Sequence, residues 1–343
     1  MNPMQTSAPR RSQVKLWGRT SQAVLWLLLL LALALPWLAK GYQLFQATMV
    51  LSYAIALVGL NLLTGFNGQI SLGHGAFFAL GAYATGILME QADWPYWATI
   101  PAAGAVCLLA GYLFGRPALK LEGLYLALAT FALGVAMPQL LKYKHLEGIT
   151  GGVQGIVLIK PDAPWGLPLS ADQWFYLFTL AVAALMFKLA QNLLQSSTGR
   201  AMRAIRDHAV AAQAMGVDVR HCKAMTFGVS AAFTGVGGAL SAIAVQFVSP
   251  DSFDLFLSIS LLVGIVVGGV GTLWGAMYGA IFIMFVPNLA EQVSKAAPWA
   301  VYGVVLIAVM MVMPGGVVGL MRQIQRKMQN KTSLHTPSKQ ETP

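Results

Sequence analysis

The sequence predicts an all-α integral membrane protein of about ten transmembrane helices, with both termini on the cytoplasmic side. Three observations carry that prediction. Of the 343 residues, 57% are hydrophobic and only 10% charged, where a soluble domain carries about 25% charged residues. The stretches 24–38, 125–141 and 301–313 contain no charged residue, and several apolar runs reach the roughly 20 residues that span a bilayer. The net charge of +10 is concentrated in loops and tails, which makes it a topology signal rather than a nucleic-acid footprint.

The order of elements follows from the Gly, Pro and charged residues that interrupt the apolar runs. A basic cytoplasmic tail, 1–23, carries Arg10, Arg11, Lys15 and Arg19. Behind it, Ala32-Leu33-Ala34 has the pattern of a signal-peptide cleavage site. The apolar run nevertheless continues through Pro36, Trp37 and Leu38 to Lys40, which favours an uncleaved first span at 24–40. Further spans are expected near 44–64, 71–89, 96–114, 123–141, 174–193, 224–245, 256–272, 274–293 and 299–321. Together they form a membrane domain over 24–321, followed by a polar cytoplasmic tail, 322–343, expected to be disordered.

The charges test this arrangement. With the N-terminus inside, the cytoplasmic segments (the two tails, Arg116 with Lys120, and the loop 194–223) hold 16 Lys and Arg. The outer side holds five: Lys40, Lys142, Lys144, Lys160 and Lys295. Lys188 lies close enough to the inner end of its span to snorkel. Nine or eleven spans would destroy the asymmetry. Trp37, Trp94, Trp97, Trp174, Trp274 and Trp299 fall near span ends, as interface anchors do.

Small residues recur at Gly264 and Gly268, and again at Gly271, Gly275 and Gly279. That spacing serves close helix packing in lipid, with a pore-lining role as the alternative. Cys107 falls in a span and Cys222 in a basic loop; the pair forms no CxxC and has no metal-ligand spacing.

Three segments are candidates for function. The stretch 59–75, Gly-Leu-Asn-Leu-Leu-Thr-Gly-Phe-Asn-Gly-Gln-Ile-Ser-Leu-Gly-His-Gly, joins the second and third spans and is unusually polar. Irregular backbone at membrane depth is tolerated only where protein or a water-filled cavity surrounds it. Either a tight turn or a solute path through Asn61, Asn67, Gln69, Ser71 and His74 would explain it. The second segment, in the outer loop 142–173, is the glycine-rich 148–155 with Thr150, Gly151 and Gly152, a turn or a gate near the outer mouth.

The third segment is the basic internal loop 194–223. Its alanines favour helix and Gly216 is a plausible stop. Arg200, Arg203 and Arg206 form a basic stripe, while Ala201, Ala204, Ile205, Ala212 and Met215 could enter a groove. The alternative is a positive loop that only fixes topology.

An energy source is not visible in the chain. Gly-Lys occurs nowhere, so no Walker A loop is present. Nucleotide chemistry is therefore expected on another polypeptide. The predicted span interiors offer His74 as their main proton-handling group, with Glu90 and Glu291 near the outer ends, which weakens a proton-coupled carrier. A packed, hydrogen-bonded role for His74 competes with a relay. Sodium coupling through backbone carbonyls stays open, and no polar cluster supports a membrane-embedded enzyme.

Three blocks resemble the branched-chain amino-acid permease family of ABC importers, in particular its LivM-like membrane subunit. They are 59–83; Tyr125-Leu126-Ala127-Leu128-Ala129-Thr130 with Thr150-Gly151-Gly152 and Gly155-Ile156; and 199–280, including 247–253 and 268–275. The resemblance covers roughly residues 45–320. It implies an ABC importer permease fold in the bacterial inner membrane, carrying branched-chain or other small amino acids; related permeases serve urea or short amides.

It also implies partners: a second related permease, two ATPase subunits that use ATP and Mg, and a periplasmic solute-binding protein. This chain would then need no cofactor and do no bond chemistry. In such importers a Glu-Ala-Ala-x-x-x-Gly loop docks on the ATPase. Here Ala211-Ala212-x-x-x-Gly216 keeps the spacing with Val210 in the acidic position. The resemblance thereby marks Arg200, Arg203, Arg206, Asp207, Ala211, Ala212 and Gly216 as coupling residues.

Overall fold

The computed structural model describes residues 30–323 apart from 119, 120, 122, 165–167, 294, 296, 314 and 322. The basic N-terminal tail, the start of the first span, Lys120, the Trp299 side chain and the tail beyond 323 lie outside the described residues. Residues 30–38 are helical (α1). They are followed by α2 (Gly41–Asn61), which runs into a π-turn (Leu62–Phe66), and by α3 (His74–Glu90), α4 (Tyr96–Ala118) and α5 (Leu124–Leu141). After the short α6 (Glu147–Thr150) come α7 (Ala171–Gln195), α8 (Ser197–Ala214), α9 (Val219–Val245), α10 (Leu255–Gly268), α11 (Gly275–Val293) and α12 (Pro298–Val312).

Among the described residues, six helical stretches are long and apolar enough to cross a membrane: Gly41–Phe66, Tyr96–Pro117, Leu124–Leu141, Ala171–Gln195, Val219–Val245 and Ala300–Met321. Leu255–Gly268 is apolar but shorter.

Two helices form the centre. In α2, 14 of 21 residues are buried, and in α9, 19 of 27, whereas α5 buries 6 of 18. A helix that is apolar all round and covered all round belongs in the interior; α5 and α7 therefore form the rim. The chain closes this centre with small residues, because lipid supplies no hydrophobic drive for helix association and contact area must come from close approach. Helix α9 packs against α2, α3 and α4. At its crossing with α3 a Cβ on Gly81 would overlap the Gly235 carbonyl.

The glycines at 264–279 resolve in the same way. Gly268 lies against the Gly275 carbonyl and Gly279 against the Gly264 carbonyl, so four of the five close the α10–α11 crossing. Gly271 is different, with φ 73° in the turn between those helices.

Several boundaries differ from expectation. The third span begins at His74 rather than 71, and the eighth ends at Gly268 rather than 272. Gly269 (φ 123°) and Gly271 adopt positive φ and break the helix. Both ends are sites where apolar composition runs past the point at which the backbone can continue.

At one end of the bundle β1 (Ile156–Val157) pairs antiparallel with β2 (Phe247–Val248), placing Ile156 opposite Val248. Two of the five cations expected on the outer side form ion pairs there or nearby, Lys142 with Asp251 and Lys160 with Asp172.

Candidate functional site

The polar stretch after α2 is folded inward: Asn61, Asn67, Gln69, Ser71 and His74 are all buried. Asn61 reaches across to the α10–α11 turn. Its Nδ2 donates to the Thr272 carbonyl and its Oδ1 accepts from the Gly271 N–H, each at 2.8 Å. The π-turn that follows brings Gly65 against the Gly271 backbone, where a Cβ would collide. A π-turn inserts one extra residue per turn and is found often at functional sites; here it aligns two interruptions of membrane helices.

His74 opens α3 and is packed. Ser230 Oγ donates to the Gly59 carbonyl at 2.6 Å, so it accepts from His74 Nε2 at 2.7 Å. Nδ1 then accepts from Ser71 Oγ at 2.8 Å. This pattern assigns the neutral Nε2–H tautomer with both nitrogens occupied. The turn leading to His74 is held by two further hydroxyls. Thr130 Oγ1 accepts from the Leu72 N–H and Ser258 Oγ from the Gly75 N–H, both at 3.0 Å.

Helix α8 lies on the same end of the bundle. Ser196 caps it, and Gly216 beyond its end has φ 87°, the left-handed stop expected there. The sequence suggested one continuous helix over 199–216, but His208 is extended (φ −162°, ψ 97°) and divides it. His208 Nδ1 accepts from the Ala211 N–H, giving the second half its own cap.

The arginines of α8 turn back onto the chain, although Arg200 and Arg206 stay exposed. Arg200 donates to the Gln195 carbonyl and Arg203 to the Leu194 carbonyl, cations on the unpaired carbonyls at the end of α7. Arg206 Nη1 donates to the Gly65 carbonyl at 2.9 Å. The arginine stripe thus binds α8 to its own chain. Ile205 and Ala212 are buried beneath it. The exposed surface includes Arg200, Ala204, Arg206, Asp207, Ala211 and Gly216, with Val210 and Met215 at 72% and 85% exposure.

Between this helix and the polar stretch is a cavity of about 140 Å³ lined by Asn67, Gln69, Ile70, Ile205, Arg206 and Lys223 among others. Gln69 Nε2 makes a long contact, 3.4 Å, to the Lys223 carbonyl.

Thr150, Gly151 and Gly152 stand elsewhere. Gly148 and Ile149 offer their carbonyls to Gln91, at the far end of α3, about 25 Å from His74 for a 17-residue helix. Thr150 Oγ1 donates to the Leu141 and Leu146 carbonyls and accepts from the Gly152 N–H. Gly151 and Gly152 both have positive φ, which lets the chain double back into β1.

The structure therefore groups Asn61 to His74 with Arg206, and separates them from the 150–152 turn. Sequence reasoning missed Ser230, Thr130, Ser258 and Thr272. Single hydroxyls inside apolar runs give no signal of their own: those of Thr130 and Ser258 meet partners 58 and 183 residues away, while Thr272 contributes its backbone carbonyl, 211 residues from Asn61.

The model of a family described as branched-chain amino acid transport system / permease component matches residues 43–314. The high-affinity branched-chain amino acid transport system permease protein LivM of Escherichia coli K12 is 31% identical over 88% of this chain and 76% of its own length. The corresponding LivH permease of Salmonella typhimurium is 24% identical over 81% of this chain and 94% of its own. An autoinducer 2 import system permease protein, LsrC of Salmonella paratyphi B, is 27% identical over 49% of this chain. No solved structure matches the chain.

Proposed function

The chain belongs to the permease family of branched-chain amino acid transport systems, and from that membership we propose that it is one translocation subunit of an ATP-driven importer of branched-chain or similar amino acids in the bacterial inner membrane. It works beside a second, related permease, with two ATPase subunits that consume ATP and Mg and a periplasmic binding protein that selects the solute. Ten spans place both termini in the cytoplasm. The glycine turn at Thr150, Gly151 and Gly152 then lies at the outer mouth of the path. Asn67 and Gln69 stand at its inner end, with Ser71 and His74 beside it.

The observation that carries the reading is the line Arg206, Gly65, Asn61, Gly271. A push on the exposed face of α8 acts through the Arg206–Gly65 hydrogen bond on the π-turn. The Asn61 clamp then acts on the α10–α11 break. Both are interruptions of membrane helices, the places where a bundle can switch between two packings. The ATPase supplies the free energy; this chain supplies two conformations whose populations shift.

Docking is tested on the residues that face outward. Val210→Asp and Met215→Asp should insert normally yet lose co-purification of the ATPase and solute-stimulated hydrolysis, since truncating or charging an interface hot spot costs about 2 kcal/mol or more. Ala212→Glu is a poor probe, because Ala212 is covered by its own chain. Retention of both properties by the two aspartate variants would move the docking site to the 115–123 turn or the C-terminal tail.

A further inference from the structure

Toward the end of the bundle that carries β1 and β2, aromatic rings bridge α2, α3 and the short turn Pro250–Phe253. Phe253, 7% exposed, has its ring centroid 6.2 Å from Phe78 and 6.0 Å from Tyr83, both on α3. Phe78 in turn stacks on Tyr53 of α2 at 5.7 Å. Under this cover Tyr83 is 1% exposed, and its hydroxyl meets no hydrogen-bond partner among the described residues. Buried hydroxyls are ordinarily paired, because an unpaired one keeps the desolvation penalty without return. Phenylalanine would fill the same space without that penalty, so the oxygen needs a partner from outside the closed arrangement. We propose that the Pro250–Phe253 turn is a lid over the outer end of the solute path, and that the Tyr83 hydroxyl beneath it is a contact for the polar end of an amino-acid solute once the lid lifts. The solute class and the outer side are those of the importer reading above, on which this inference rests.

The attachments of the turn are those of a lid. On its N-terminal side the chain is fixed: β2 pairs with β1, Val248 is fully buried, and a Cβ on Gly155 would overlap the Val248 carbonyl. Across the turn, Asp251 pairs with Lys142 at the end of α5. With Asp251 68% exposed, that latch holds weakly. On the C-terminal side Phe253 directly precedes Asp254, whose carboxylate accepts the Leu257 N–H and caps α10. Phe253 therefore travels with α10. This helix of 14 residues is about 21 Å long and ends at the break that Asn61 clamps. A rigid helix thus joins the lid to the interruption at the opposite end, and a shift there draws Phe253 off Tyr83.

One hydroxyl among aromatic rings suits a solute with one polar end and an aliphatic body. The hydroxyl can donate to a carboxylate or accept from an ammonium, and ring faces attract the ammonium. The aliphatic part packs on the same rings. A sugar or a phosphate would need several polar partners where the rings surround one.

The experiment uses cells that express the complete transporter and follows uptake of radiolabelled leucine, isoleucine and valine. Lys142→Cys and Asp251→Cys are combined and bridged with a short bis-methanethiosulfonate; the native cysteines are both buried. Bridging should cut uptake at least tenfold, and dithiothreitol should restore it, which shows that the locked chain is folded. Persistent uptake by the fully bridged chain would overturn the lid. Tyr83→Phe keeps the ring and loses only the unpaired hydroxyl. Its thermal midpoint should be no lower than that of wild type, while uptake per folded transporter should fall about fivefold. Unchanged uptake would overturn the solute contact, and so would a lowered midpoint that accounts for the loss. Wild-type uptake stands as the separate test of the importer reading: its absence for all three amino acids would refute that reading and this inference with it. With wild-type uptake normal, failure of the lock or of Tyr83→Phe strikes this inference alone.

Discussion

The Asn61 carboxamide takes both hydrogen-bonding groups of the α10–α11 turn, accepting the Gly271 N–H and donating to the Thr272 carbonyl across more than 200 residues of sequence. Two helix interruptions that are remote in the chain are therefore one mechanical object. Asn61→Leu should leave the Gly271 N–H unpaired and the Thr272 carbonyl with only the Gly275 N–H, and lower stability by about 1–3 kcal/mol. Asn61→Asp should keep the bond to Gly271 and lose only the one to Thr272, giving an intermediate thermal midpoint in detergent. Equal midpoints for wild type and Asn61→Leu would show that the turn holds itself.

The α3–α9 crossing can be probed with one added methyl group. Gly81→Ala drives a Cβ into the Gly235 carbonyl and should cost about 1–3 kcal/mol as overpacking. Gly148 has open space around it, so Gly148→Ala is expected to stay within about 0.5 kcal/mol of wild type. The measurement is the folded fraction by fluorescence-detected size exclusion after heating.

Sidedness can be read from two exposed positions. Ile159 and Met215 are 83% and 85% exposed, and both native cysteines are buried, so background labelling should be low. A membrane-impermeant maleimide added to intact cells should modify Ile159→Cys and spare Met215→Cys. Inside-out vesicles of the chain expressed without ATPase subunits should reverse the result. Labelling of both from one side would refute the ten-span topology.

His74 offers a test between packing and proton transfer. With Ser71 and Ser230 on its two nitrogens, the ring is a structural tie. His74→Phe should lower stability by about 1–3 kcal/mol, yet uptake per folded transporter should stay within about twofold. A relay would behave in the opposite way, with a sound fold and no uptake.

The helices were legible because membrane spans are written in composition, and the polar 59–75 stretch was conspicuous against that background. What the sequence hides is partnership. Arg200, Arg203 and Arg206 look like a solvent-facing stripe, since cations favour water. The carbonyls that receive them, at Gln195, Leu194 and Gly65, are backbone atoms with no residue-type signature. The same applies to Ser230, whose role depends on the Gly59 carbonyl opposite it. The break at His208 carries neither Pro nor Gly, so propensity alone runs straight through it. Ile205 and Ala212 illustrate the consequence: both are apolar and helical, but only tertiary structure tells that they face inward.

The central place of α9 has a consequence for biogenesis. Helices α2, α3 and α4 all pack on it, yet it lies more than a hundred residues downstream of α3. At translation rates of roughly 5–20 residues per second, the segment from the end of α3 to the end of α9 takes about 8–30 s to emerge. During that interval the His74 ring and the small-residue faces of α3 and α4 lack the helix that later covers them. The early spans must wait beside the insertion machinery or a lipid-phase chaperone until Ser230 arrives. A nascent chain halted before α9 should therefore be a protease substrate, although α2, α3 and α4 have already been made.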